Sequence, residues 1–224
     1  MTTFVLVHGA WHGSWCWKRV RKNLQSLGHE VFTPTLTGVA DRSHLASREV
    51  NLETHILDVA NMILWEELSE VVLCGHSYAG AVITGVVDRI PERIRSLVYL
   101  DAFIPSDGEN LMRYVPDNLV NDWQVNPIPA ERFEVNLADR EWVDRLCTAQ
   151  PLGCWAQKIH LTGRGISTEN TAYICAVGKT GSTGRFLEHF EKAKKLGWKT
   201  STVSCGHDIM LDEPEALADL LLDC

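Results

Sequence analysis

Six short apolar runs, FVLVH (Phe4–His8), EVFT (Glu30–Thr33), VVLC (Val71–Cys74), SLVYLDA (Ser96–Ala102), AYICAV (Ala172–Val177) and TSTVS (Thr200–Ser204), are separated by stretches of helical periodicity. This alternation constrains the chain more than any other feature. Short runs without polar alternation read as strands buried on both faces, and parallel strands of that kind need a crossover helix between them. Ile56, Val59, Ala60, Ile63 and Leu64 keep the spacing of a single helical stripe. Trp15–Leu27, Ala79–Ile90, Gly184–Leu196 and Pro214–Leu222 are further predicted helices. The expectation is an α/β chain with a mostly parallel sheet of about six strands and helices on both faces.

The alternation stops over residues 105–160. Prolines 116, 127, 129 and 151 punctuate short helical pieces that carry Trp123, Trp142 and Trp155. Aromatic content of this kind argues against a disordered linker and predicts a helical cap, inserted at about 105–160 into a single domain spanning 1–224. With 224 residues, 45% of them hydrophobic, one such domain can bury a sizeable core.

Several function classes recede on composition. The net charge of −8, without a basic cluster, disfavours nucleic acid and anionic lipid as partners. The opening MTTFVLVHGAWHG lacks a basic n-region, and no apolar stretch is long enough to span a bilayer, so a cytoplasmic location is expected. Seven cysteines without C-x-x-C pairing read as reduced thiols, Cys74 and Cys175 as packing residues; no metal and no cofactor are expected.

Three segments carry groups suited to chemistry. In CGHSYAG, Ser77 directly follows an apolar strand and precedes a helix of small residues, so a tight strand-to-helix turn would lift its hydroxyl above the carboxyl edge of the sheet. Gly75 and Gly80 suit such a turn, and Ala79 stands where glycine is usual. In HGAWHGSWCW, after the first strand, the Ala10 backbone N–H can point at the same place as the N–H of Tyr78, giving two donors for an oxyanion. Trp11 and His12 of that loop, with Trp123 and Trp155 of the cap, are candidate pocket residues, although packing explains each equally well. In CGHDIMLDEP, His207 lies in a loop after the last strand, placed to act as a base towards Ser77.

Taken with TLTGVADRSHL and LVYLDAFIPSDGE, these motifs resemble the α/β-hydrolase superfamily, within it the small branch of plant methylesterases, hydroxynitrile lyases and bacterial esterases. The resemblance covers nearly the whole chain. It implies an α/β-hydrolase fold, a serine–histidine–acid triad, a lid, no cofactor, and small ester or cyanohydrin-type substrates. In that superfamily the acid commonly follows the penultimate strand, but the chain has Lys179 there and no aspartate between Asp144 and Asp208. Asp101, at the end of the strand after the nucleophile strand, is the candidate acid. Glu188 and Glu191 sit on a predicted helix, and Asp208 would have to fold back on its neighbour. Lyases of this branch resemble one another in carrying lysine beside the catalytic histidine; Asp208 stands there instead and would oppose a cyanide leaving group. The expected function is a cofactor-free serine hydrolase of a small carboxylic ester or lactone, possible as a homodimer. The alternatives are hydroxynitrile-lyase-type C–C cleavage and a non-catalytic ligand-binding relative.

Overall fold

A computed structural model describes residues 1–165, 169–178 and 184–224. Six strands, β1 (Thr3–Val7), β2 (Glu30–Phe32), β3 (Val71–His76), β4 (Ile94–Leu100), β8 (Thr171–Ala176) and β9 (Lys199–Val203), form one sheet in the order β2-β1-β3-β4-β8-β9. Every pairing in it is parallel. Each apolar run of the sequence is one of these strands. Because successive side chains leave a strand on opposite sides, the runs divide between two cores. Val5, Val7, Leu73, Tyr99 and Tyr173 pack beneath α2 (Leu52–Trp65), α3 (Ala79–Arg89) and α6 (Gly184–Lys195). Phe4, Leu6, Val72, Val98 and Ile174 pack against α1 (Lys18–Ser26) and α8 (Pro214–Leu222).

Local signals set the helix ends. Asn51 caps α2 by accepting from the Thr54 N–H at 3.1 Å, and the Thr54 hydroxyl accepts from the Asn51 N–H at 3.3 Å, a reciprocal capping box. The predicted helix over Trp15–Leu27 is two pieces, a 3₁₀ turn at Ser14–Trp17 running into α1.

Between β4 and β8 the chain leaves the sheet. Here β5 (Val120–Asn121), β6 (Gln124–Val125) and β7 (Gln150–Pro151) make a small antiparallel ribbon, accompanied by 3₁₀ turns and by α4 (Arg140–Leu146) and α5 (Gly153–Ala156). The segment is therefore only partly helical. Its prolines lack the N–H a helix needs, and the turns at Asp117–Leu119 and Ala130–Phe133 each follow one directly. A last short helix, α7 (Ile209–Asp212), joins the loop after β9 to α8.

Candidate active site

Ser77 occupies the turn between β3 and α3 in a left-handed conformation, φ +54°, which a non-glycine residue holds only when its surroundings enforce it. The enforcement is visible. A methyl group on Gly75 would come within 2.7 Å of the Ala79 carbonyl oxygen, and one on Gly80 would overlap the carbonyl oxygen of Phe103. The Ser77 N–H donates to Leu100 O at 3.1 Å, and its carbonyl accepts from the N–H groups of Gly80 and Phe103, both at 3.1 Å. The turn is thus bolted to the end of β4, and the serine stays 8% exposed at the cavity floor.

Asp101 comes directly after β4, also at positive φ (+43°), so its side chain turns across the sheet edge. It meets the loop after β9: His207 Nδ1–H donates to Asp101 Oδ2 at 2.6 Å, with both residues buried. Asp101 Oδ1 accepts from the Ala176 N–H at 3.2 Å, and the Asp101 N–H donates to Ile174 O at 2.7 Å. A proton held on Nδ1 by a carboxylate leaves Nε2 as the acceptor. The imidazole is stacked on Phe186 at 4.6 Å and flanked by Phe133 at 4.9 Å and His76 at 4.4 Å.

The other carboxylates lie elsewhere. Glu188 and Glu191 are exposed on α6, and Glu191 pairs with Lys194 at 2.8 Å. Lys179 lies outside the described residues. Asp208 is fully buried behind His207, 3.4 Å from His12 Nε2 and 3.7 Å from His76 Nε2, and does not reach the cavity wall.

The loop after β1 is held from both sides. The His8 ring accepts from the Leu36 N–H at 3.0 Å through Nε2 and donates from Nδ1 to Gly9 O at 2.8 Å. Burial pushes its pKa down to about 3, so the ring is neutral. Trp11, at φ +65°, is clamped by the segment between β4 and β8: its N–H donates to Gln150 Oε1 at 3.2 Å, its indole to Val125 O at 3.0 Å, and its carbonyl accepts from Thr148 N–H at 3.0 Å. Among the described residues' loop, turn and cap hydrogen bonds, no protein acceptor takes the N–H of Ala10 or of Tyr78. The Tyr78 ring is anchored as well, its hydroxyl donating to His55 Nδ1 at 3.0 Å while His55 Nε2–H donates to Thr37 O at 2.8 Å.

Ser77 and His207 open into a cavity of about 800 Å³ walled by Trp11, Phe103, Tyr114, Phe133, Trp155 and Phe186, with Arg132 and Asn118 as polar members. Of the four pocket candidates, Trp11 and Trp155 line it. His12 and Trp123 do not: His12 turns behind the loop to stack on Trp15, and the Trp123 carbonyl ties the ribbon down through the Leu152 N–H at 2.8 Å. Gln150, Phe133 and Phe186 escape sequence reasoning, because each reaches the site only through a contact distant along the chain. Among the described residues, His76, His207 and Asp208 have ligand atoms within 4.8 Å of one another, but a cation there would take the imidazole that Asp101 orients.

Sheet order, serine turn and histidine loop define the class. A family model described as the alpha/beta hydrolase family matches residues 4–220, and the chain belongs to that family. It is similar to the carbendazim hydrolyzing esterase of Nocardioides sp. (strain SG-4G), with 44% identity over 239 residues covering 99% of this chain and 98% of that one. It also matches methylesterase 1 of Arabidopsis thaliana, 34% identical over 125 residues that cover 51% of this chain and 44% of the relative. In fold it is like an extracellular alpha/beta-hydrolase from a Paenibacillus species, with a TM-score of 0.84, 24% identity and coverage of 100% and 98%.

Proposed function

We propose that this protein is a cofactor-free serine esterase whose triad is Ser77, His207 and Asp101. The observation that carries the reading is the buried 2.6 Å bond from His207 to Asp101, made by an imidazole that shares a cavity with a serine in a strained turn. Ser77 Oγ attacks the ester carbonyl and its proton passes to His207 Nε2. The negative charge that develops on the carbonyl oxygen meets the N–H groups of Ala10 and Tyr78. Collapse breaks the carbon–oxygen bond, the leaving alkoxide takes the proton from His207, and water repeats the sequence on the acyl-enzyme. Asp101 holds the tautomer and offsets the charge that His207 acquires.

The aromatic wall favours a flat, apolar acyl or alcohol portion. The name of the esterase from Nocardioides makes carbendazim the first compound to offer. Residues 105–160 act in this reading as the cap of a single domain. The cytoplasm suits seven free cysteines, five of them buried. Asp208 gives no ground for choosing between ester and cyanohydrin chemistry, since it stands off the cavity wall; the ester reading is supported by the near full-length match to an esterase.

The test is hydrolysis of carbendazim and of p-nitrophenyl esters of graded length by wild type and Ser77→Ala, with fluorophosphonate labelling. Loss of a triad serine lowers kcat by roughly 10⁶-fold. Near-wild-type turnover by Ser77→Ala, or a label on another residue, sinks the assignment. Ser77-dependent cleavage of mandelonitrile without ester turnover would place the protein among lyases.

A further inference from the structure

We propose that His12 and Asp208 form a buried ion pair that positions the oxyanion loop, setting the direction of the Ala10 N–H. The inference rests on the esterase reading for its kinetic consequence, but the pair itself is a separate claim. Two consecutive peptide units are involved. The first, Gly9–Ala10, carries the donor N–H and is gripped at its carbonyl by His8. The second, Ala10–Trp11, is gripped at its N–H by Gln150 and at its carbonyl by His12, whose Nδ1–H donates to Ala10 O at 2.8 Å. With Trp11 in a left-handed conformation, neither unit rests where a free chain would put it, so the grips define it.

The other end of the His12 ring explains Asp208. Both Asp208 oxygens lack a hydrogen-bond partner and the side chain is fully buried, a state a carboxylate tolerates only beside a cation. The groups facing the pair are His76, His207, Cys16 and Cys147. His76 donates from Nε2 to His207 O at 3.1 Å and burial holds it neutral. Burial likewise keeps the Cys16 thiol protonated. His207 is engaged with Asp101. That leaves His12, with Nε2 3.4 Å from Asp208 Oδ2, its ring stacked on Trp15 at 5.0 Å, and the Cys147 sulfur 3.9 Å from Nδ1. Burial works against charge on both partners, yet the Cys147 sulfur and Asp208 hold His12 well above the usual histidine range, and His12 holds Asp208 below the usual carboxylate range. An ionised donor makes the shorter and stronger bond to Ala10 O.

The direct test is ¹⁵N NMR of histidine-labelled Ser77→Ala protein between pH 6 and 8.5. His12 should keep both ring nitrogens protonated throughout, and should lose one in Asp208→Asn. A His12 that titrates near its ordinary value overturns the pair, whatever the enzyme does. In otherwise wild-type protein, His12→Gln and Asp208→Asn should each lower kcat about 10- to 100-fold with KM nearly unchanged, less than the 10²–10³-fold of losing an oxyanion donor outright. Affinity for a trifluoromethyl ketone, which forms an oxyanion on Ser77, should fall in parallel. The double variant should be less impaired than the two single losses multiplied, because neither charge is stranded. Unchanged ketone affinity in folded single variants would overturn the positioning role. An active Ser77→Ala would instead remove the esterase reading and leave the NMR result standing.

Discussion

Asp101 owes its place to one backbone angle. At φ +43°, directly after β4, it turns across the strand ends instead of continuing the pleat, and so reaches the loop after β9 that carries His207. A longer acid on α6 has no such route; Glu188 faces solvent. Asp101→Asn keeps the shape but accepts no charge-assisted bond and favours the other histidine tautomer. The expected loss in kcat is roughly 10⁴-fold, as in the serine-protease precedent, with Glu188→Gln close to wild type. Steady-state kinetics on the three folded proteins, against Asp208→Asn, checks this. A fully active Asp101→Asn would remove it from the proposed triad. The strand-end position of Asp101 was legible in the sequence; the role of Asp208 was not, since its partner His12 is 196 residues away and neither residue signals the other.

The segment between β4 and β8 works on the site through a few ties. Gln150 accepts the Trp11 N–H, Val125 the Trp11 indole, and Trp155 packs on Trp11 at 5.6 Å and on Tyr78 at 5.3 Å. Gln150→Leu leaves a buried N–H without an acceptor, at a cost of about 1–3 kcal/mol. It should lower the denaturant midpoint with little change in m-value, and lower kcat more than it raises KM. A variant equal to wild type in both would show that Trp11 is held by its remaining contacts. None of this ribbon was readable beforehand: strands of two residues have no periodicity, and what pairs them is the core they rest on.

The molecule as a whole carries an acid limit. Burial depresses His8 to about 3 and His189 to about 4, and lowers His55 and His76 as well. In the unfolded chain these rings take up protons near pH 6.5. The unfolded state therefore binds more protons below that pH, and stability present above 6.5 falls as pH drops towards 4 and 3. His12 has the opposite sign: its stabilisation is full below the unfolded value and fades as pH rises through its raised one. Melting temperature should fall steeply between pH 6.5 and 4, and His189→Gln, if it folds, should flatten part of that slope. A melting temperature flat across the range would contradict the neutral buried rings.

The sequence by itself determined the sheet and marked Ser77 and His207 as the pair proposed to react. All six strands, the sheet's parallel character and the turn at Ser77 follow from hydrophobic period and from small residues where backbones crowd, which are interactions between near neighbours in the chain. The contact of Asp101 with His207, the clamp on Trp11, the aromatic wall completed by Phe133 and Phe186, and the burial of His12 beside Asp208 were decided only in the tertiary structure. Each depends on groups dozens to nearly two hundred residues apart, and on burial, which sets whether a charge survives and which no local pattern encodes.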